Sequence, residues 1–160
     1  MQEDHDLLIR VGRIVCPATG VELPGAVAVR GDRIVAAGPN VDGHSRQVLD
    51  FPDAVLLPGL IDLHAHPARS GSIFGVEPDT HILARGTTTV LSQGDAGAEK
   101  CQSYVRETIE TSQTRVVLAI NLASCGELGP GGCFERLDSS TSRHASRQSN
   151  ASATTSGELP

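Results

Sequence analysis

Two histidines one residue apart, His64 and His66, close the run Leu57-Pro58-Gly59-Leu60-Ile61-Asp62-Leu63-His64-Ala65-His66. The run is apolar and rich in strand-forming residues, and side chains in a strand alternate between its two faces. The spacing therefore predicts Asp62, His64 and His66 on one face, with Leu63 and Ala65 on the other. Two imidazoles on one face at the end of a buried strand can hold one metal ion from one side. The competing reading is a pair of histidines hydrogen-bonded in a core or exposed at an edge. Context favours the metal: a Pro-Gly precedes the strand, and the pair ends the first strand of a strand–helix series. In βα barrels the C-terminal strand ends carry the active site. Asp62 lies deeper and is expected to support the histidines more than to bind metal.

His81 sits on a short predicted helix and reads as a surface or packing histidine. Asp95 either lines the barrel mouth and touches substrate or forms a turn beside Gly94. Arg69 could meet an anionic group, although a solvated loop arginine is the preferred reading. The four cysteines, Cys16, Cys101, Cys125 and Cys133, show no CxxC pairing, which favours reduced thiols over disulfides or a thiolate metal site. Gly126, Gly129, Gly131 and Gly132 mark a loop without the spacing of a phosphate-binding motif, so a nucleotide site is rejected.

The elements that must position the histidines change character along the chain. Residues 6–55 read as short strands: 7–11 and 13–16 flank Gly12, and 25–30 and 33–37 flank Gly31-Asp32, the two-residue spacing of a tight hairpin. A further strand falls at 47–50. This unit is predicted to be a small β-sandwich segment with a packing role. Beyond Pro52, residues 54–66 read as one strand and 77–86 as a short helix, with Pro78 in its first turn and Gly86 past its end. Residues 87–92 form a β-branched strand. An amphipathic helix over 99–111 follows, with Cys101, Tyr104, Val105 and Ile109 on one side. The third strand, 115–122, is apolar on both faces, as a covered parallel strand should be. Strand, helix, strand, helix, strand implies parallel βαβ units and an α/β fold.

Composition narrows the function further. The formal charge is −6 over 160 residues, the sequence pI is about 5.4, and no basic cluster offers phosphates a landing surface. Nucleic acid is therefore not an expected partner. No apolar run approaches the roughly 20 residues of a membrane helix, and the acidic N-terminus lacks a signal-peptide pattern, so the expectation is a cytoplasmic protein without membrane association. The sequon at Asn150 carries no weight without a secretory signal. From Ser139 to Pro160 the chain is Ser, Thr, Ala and Arg-rich with no Val, Ile, Phe or Met, and disorder is expected there. The expected division is 1–55, a sandwich segment; 56–138, a partial barrel; and 139–160, a tail.

The β-rich segment, the run from Leu57 to His66, Pro78-Asp79, Gly86-Thr87-Thr88-Thr89-Val90 and Asp95-Ala96-Gly97-Ala98 together resemble the amidohydrolase superfamily. Within it they are similar to the dihydroorotase-like and D-aminoacylase-like branch of amidohydrolase/deacetylase metallohydrolases, over roughly residues 6–138. The resemblance implies a (β/α)8 barrel, of which this chain holds the first three βα-type units, with a sandwich built from both chain ends. It implies one or two divalent metals, usually Zn2+, with His64 and His66 on the more buried ion. A carboxylated lysine would bridge the metals, two further histidines would bind the second, and a late aspartate would bind metal and shuttle the proton. It further implies a small-molecule amide, cyclic amide or ester substrate, hydrolysed by metal-activated water, and allows a homo-oligomer.

Two departures limit that implication. Dihydroorotases carry an arginine two residues after the second histidine, where this chain has Ala68 with Arg69 beside it. Lys100 is the only lysine and opens the second predicted helix, and the only histidine after His81 is His144, in the tail. Asp138 lies where no barrel strand is readable. No catalytic or cofactor-binding residue is therefore assigned, and metal ligation is assigned to His64 and His66 alone. The chain is expected to be the N-terminal portion of a C–N bond hydrolase, through truncation or a frameshift near Ser139, and inactive alone. The alternatives are a non-catalytic fragment or partner-dependent binding module, and a phosphoesterase that opens on the same HxH strand; residues 6–55 argue against the last.

Overall fold

The computed structural model describes residues 5–69 and 74–128, and the chain divides into two compact units between Pro58 and Gly59. The expected disordered tail, 139–160 with His144, lies outside the described residues, as do Asp138 and Cys133.

The first unit is one four-stranded sheet among the described residues. Its strands are β1 (His5–Cys16), β2 (Val21–Arg30), β3 (Arg33–Gly38) and β4 (Ser45–Leu56), in the order β3-β2-β1-β4. The β1–β2 and β2–β3 pairs are antiparallel, and β1–β4 is parallel. The two short strands expected around Gly12 are one strand with a bulge: three steps from Val11 to Ile14 face two steps from Gly25 to Leu23. The extra residue puts Ile14 on the same face as Val11, while Leu8, in regular register with Val11, lies on the opposite face, so both faces carry buried residues. Glycine is required at 12, because a Cβ there would stand 1.9 Å from the Pro52 carbonyl oxygen. The Gly31-Asp32 hairpin forms as expected, with Arg30 paired to Arg33, Gly31 at φ +59° and its N–H donating to Asp6 Oδ2 at 2.6 Å. Leu8, Ala26 and Ala28 form one apolar cluster, and Val11, Ile14 and Val27 another.

The second unit is a parallel sheet of β5 (Leu60–Ala65), β6 (Thr87–Gln93) and β7 (Arg115–Ala119), in sequential order. The single strand expected over 54–66 is corrected to two. Residues up to Leu56 finish β4 beside β1, and β5 opens where the Leu60 N–H donates to the Gly86 carbonyl at 2.9 Å. Pro58 has no N–H for a ladder, and Gly59 lies so close to β6 that a Cβ would be 2.2 Å from Thr88 Oγ1.

Each crossover carries helical turns. The first is a turn of π-helix, Pro78–Ile82, followed by a 3-10 turn, Leu83–Arg85. Glu77 caps it by accepting the Thr80 N–H at 2.7 Å, and Gly86 ends it at φ +88°. The second is α1 (Cys101–Tyr104), which continues as a π turn over Val105–Ile109. Its buried side is Cys101, Tyr104 and Thr108, with Val105 and Ile109 only partly covered, so Thr108 takes a place expected of an apolar residue. Ile82 from the first crossover and Tyr104 from the second meet Ala68, Val90, Ala96 and Val116 in one cluster, so both crossovers cover the same face. This is the arrangement that right-handed βαβ units produce.

The expectation that the third strand is covered on both faces is corrected. Val117, paired with Leu91, is 41% exposed, and Ile61, paired with Thr89, is 65% exposed. Among the described residues the crossovers shield only the Val90 and Val116 side of the sheet. The strand also stops at Ala119 and not 122, because Asn121 turns the chain: its N–H donates to the Ala96 carbonyl at 2.9 Å and its Nδ2 to the Gly94 carbonyl at 3.0 Å.

Candidate metal centre

The apolar run of β5 delivers His64 as its penultimate residue and His66 just past its end. The two rings stand edge to face, with centroids 5.9 Å apart and planes at 77°. Strict alternation does not hold up to them. The pairing of β5 with β6 shifts between Asp62, opposite Val90, and Ala65, opposite Ser92, so three steps face two. Asp62 does not join the rings; its Oδ1 accepts the backbone N–H of His64 at 2.9 Å and holds that irregularity in place. Gln93 Nε2 donates to the Leu63 carbonyl at 2.9 Å and ties the same stretch to the end of β6.

Beyond the pair the chain is anchored from two sides. Val76 N–H donates to the His66 carbonyl and Ala68 N–H donates to the Val76 carbonyl, both at 3.0 Å, which makes a short parallel bridge at Pro67. The buried Tyr104 hydroxyl donates to the Pro67 carbonyl from the second crossover. His66 is thereby fixed in its backbone, while His64 remains exposed.

The partner of the His66 ring was not assigned by sequence. Asp95 Oδ1 lies 3.0 Å from His66 Nδ1, and Asp95 is 0% exposed. Its Oδ2 accepts the hydroxyl of Ser92, itself fully buried. Burial pushes the Asp95 carboxyl above its ordinary value, while the bonds from Ser92 and His66 pull against that rise. Burial likewise pushes the Tyr104 phenol far up, with the Asp95 carboxylate adding to the rise, so this hydroxyl stays protonated and serves as a donor. Asp95 does more than turn the chain, since its carboxylate is fully buried and meets the His66 ring. Gly94 beside it, at φ +82°, makes the turn, and Asp95 faces inward to the histidine. The available signal was positional, since Asp95 follows the strand adjacent to β5 and so emerges at the same end of the sheet.

The loop after β7 locks that turn. The Gly94 carbonyl accepts from Asn121 Nδ2 and from the Glu127 N–H, each at 3.0 Å. A Cβ on Gly97 would fall 1.7 Å from the Ala123 carbonyl oxygen, so only glycine permits this approach of the two backbones.

Arg69 is not a solvated loop arginine. Its guanidinium meets Glu77 Oε1 at 2.6 Å and Asp79 Oδ2 at 2.5 Å, and donates to the Thr111 carbonyl at 3.1 Å. Asp79 also accepts from Gln113 N–H, Thr114 N–H and Thr114 Oγ1, at 3.1, 2.9 and 2.9 Å. Burial alone would raise the Asp79 carboxyl, but the Thr114 and Gln113 donors with Arg69 outweigh it and hold it low. Arg69 and Asp79 therefore fasten the first crossover to the segment entering β7. Ala68 is buried in the apolar cluster, and His81 is exposed.

The donor chemistry fits a divalent metal in part. Two imidazoles adjoin, and one is backed by a carboxylate, as metal-bound histidines commonly are. Among the described residues no group of three or more His, Cys, Asp or Glu side chains converges on one point. Nor does any helix among them have the length and apolarity to cross a membrane.

No protein-family model matches the chain. Among curated relatives, a dihydroorotase of Streptococcus thermophilus is 36% identical over 88 residues, spanning 53% of this chain and 21% of that protein. An adenine deaminase of Deinococcus radiodurans is 35% identical over 92 residues, 58% of this chain and 17% of its own length. A deacetylase of Enterococcus faecalis is 27% identical over 124 residues, 77% of this chain and 32% of its own. Among solved structures, a dihydroorotase superposes with a TM-score of 0.80 at 21% identity, covering 92% of this chain and 40% of that one. An adenine deaminase superposes with a TM-score of 0.74 at 20% identity, covering 94% and 39%. At these identities the superpositions establish shared fold alone, and this chain spans well under half of each of these proteins.

Proposed function

From the premise that this chain belongs, over part of its length, to the amidohydrolase superfamily, we propose that it carries the first metal-binding segment of a hydrolase of C–N bonds. The observation that carries this reading is the His64–His66 pair at the C-terminal end of the first parallel strand, with a buried carboxylate behind His66. The names dihydroorotase and adenine deaminase have in common the cleavage of a C–N bond by water, and the substrate class proposed is a small amide or cyclic amide, with esters as the nearest variant.

In this reading His64 and His66 supply two neutral nitrogen donors, and Zn2+ is the ion that such donors in a tetrahedral site suit. When bound, a divalent ion supplies Lewis acidity toward the substrate carbonyl and makes water a nucleophile near neutral pH. The chain's own contribution is orientation. The register shift and the Asp62 bond to His64 N–H set the backbone of the pair, and Pro67, Val76 and Tyr104 fix it beyond. Arg69 is already engaged by two carboxylates of its own chain, which favours a reaction other than dihydroorotase chemistry. The closed barrel and the sandwich belong to this same reading.

A second reading, a non-catalytic or partner-dependent binding module, is favoured by one observation: no third donor converges on the pair among the described residues. In both readings hydrolysis requires further ligands, from a longer protein or from a partner chain. Equilibrium dialysis of the full chain against zinc tests what they share. Zinc is expected to bind weakly, with affinity at least about tenfold lower in His64→Ala and in His66→Ala. Unchanged affinity in both variants would overturn the assignment.

A further inference from the structure

Resting on the reading of His66 as a metal ligand, we propose that Asp95 is its positioning residue: the carboxylate holds the ring in the Nδ1–H tautomer, so that Nε2 is the nitrogen offered to the metal.

With Asp95 as a carboxylate, which only accepts hydrogen bonds, the 3.0 Å contact from its Oδ1 places the proton on His66 Nδ1. In a neutral imidazole the other nitrogen is then bare and can donate its electron pair. Asp95 is completely buried, so water does not compete for its oxygens. It is also unsuited to be a ligand itself, because Oδ1 faces His66 and Oδ2 takes the Ser92 hydroxyl. Tyr104, also fully buried, donates its hydroxyl to the carbonyl of Pro67, the residue after His66. The ring of His66 is therefore fixed from the end of β6, and the backbone beyond it from α1.

The backbone around Asp95 is built to hold this position. Gly94 provides the left-handed turn, Asn121 and Glu127 converge on its carbonyl, and the Asn121 N–H secures the Ala96 carbonyl on the other side of Asp95. His64 has no such carboxylate contact among the described residues; its one hydrogen bond to an acid is from its backbone, to Asp62. The two ligands are thus unequal: His66 is preset, and His64 adjusts.

The test is long-range 1H–15N NMR of the histidine rings in the full metal-free chain at pH 8, with His66 assigned by its loss in His66→Ala. The expected result is a protonated Nδ1 and a bare Nε2 for His66 in the native chain. In Asp95→Ala the ring is expected to average between tautomers, with zinc affinity about 10- to 100-fold lower. Asp95→Asn, whose amide oxygen still accepts from Nδ1, is expected to restore the tautomer. A native His66 with its proton on Nε2, or already averaging, would overturn the proposal, as would Asp95→Ala with native tautomer and native zinc affinity. If Asp95→Ala does not fold, the native spectrum decides alone. Zinc affinity unchanged in His66→Ala would instead refute the metal reading, whatever the tautomer shows.

Discussion

His64 and His66 meet edge to face with their ring centroids 5.9 Å apart, although the strand that carries them departs from regular alternation just before they occur. The departure is local and supported: Asp62 accepts the His64 N–H, and Gln93 reaches across to the Leu63 carbonyl. A bulge at a strand end is a common way to re-aim side chains beside an active site. Here it leaves one ring against the buried Asp95 and the other in solvent.

The turn that holds Asp95 depends on glycine at 97. Its missing Cβ lets the Ala123 carbonyl approach to 1.7 Å from where that atom would be. Gly97→Ala is expected to lower stability by about 1–3 kcal/mol, the usual cost of forced overpacking, and to weaken zinc binding with it. Urea unfolding checks this, and a native midpoint would contradict the close approach.

Acid sensitivity should arise from the crossover clamp. Thr80 donors, with Arg69, hold the Glu77 carboxyl below its ordinary value. Asp79 is also held low: burial pushes it up, and the Thr114 and Gln113 donors with Arg69 more than reverse this. A carboxyl lowered in the folded state contributes stability above its unfolded pKa of about 4, and that contribution fades as pH falls through the lowered native value. The unfolding midpoint is therefore expected to drop below about pH 4. Asp79→Ala, which strands the buried Thr114 N–H, is expected to cost about 1–3 kcal/mol near neutral pH and to flatten that drop. Equal acid slopes in variant and native chain would contradict the assignment.

The uncovered part of the parallel sheet should be measurable. Ile61 and Leu63 on β5 are 65% and 67% exposed, so the full chain is expected to bind a hydrophobic dye. Replacing both by Ser should reduce the dye fluorescence while changing stability by less than about 1 kcal/mol, as for exposed positions generally. A large loss of stability would show that these side chains are covered.

Local signals carried much of the fold into the sequence. Gly31-Asp32 announced its hairpin, Pro78 and Gly86 bracketed the first helical turns, and the β-branched run at 87–92 marked β6. The Pro58-Gly59 break was present too, but an apolar run on both sides disguised it as one strand; the strand pairings divide it, with residues up to Leu56 beside β1 and Leu60 onward beside β6. The histidine pair was legible because its members are two residues apart. Asp95 was not, because it reaches His66 across 29 residues of chain, through the alignment of β5 with β6. Arg69 was misread for the same reason: its partners Asp79 and Thr111 are brought to it by the two crossovers. Alternation and capping report on neighbours in sequence, whereas these contacts depend on how strands lie side by side.

Zinc K-edge X-ray absorption on the full chain, loaded with one equivalent of zinc, tests the central claim most directly. The account predicts a first shell containing two imidazoles at about 2.0–2.1 Å, the usual zinc–nitrogen distance, with one imidazole lost in His64→Ala and one in His66→Ala. A shell of oxygen or sulfur alone, identical in the native chain and both variants, would contradict it.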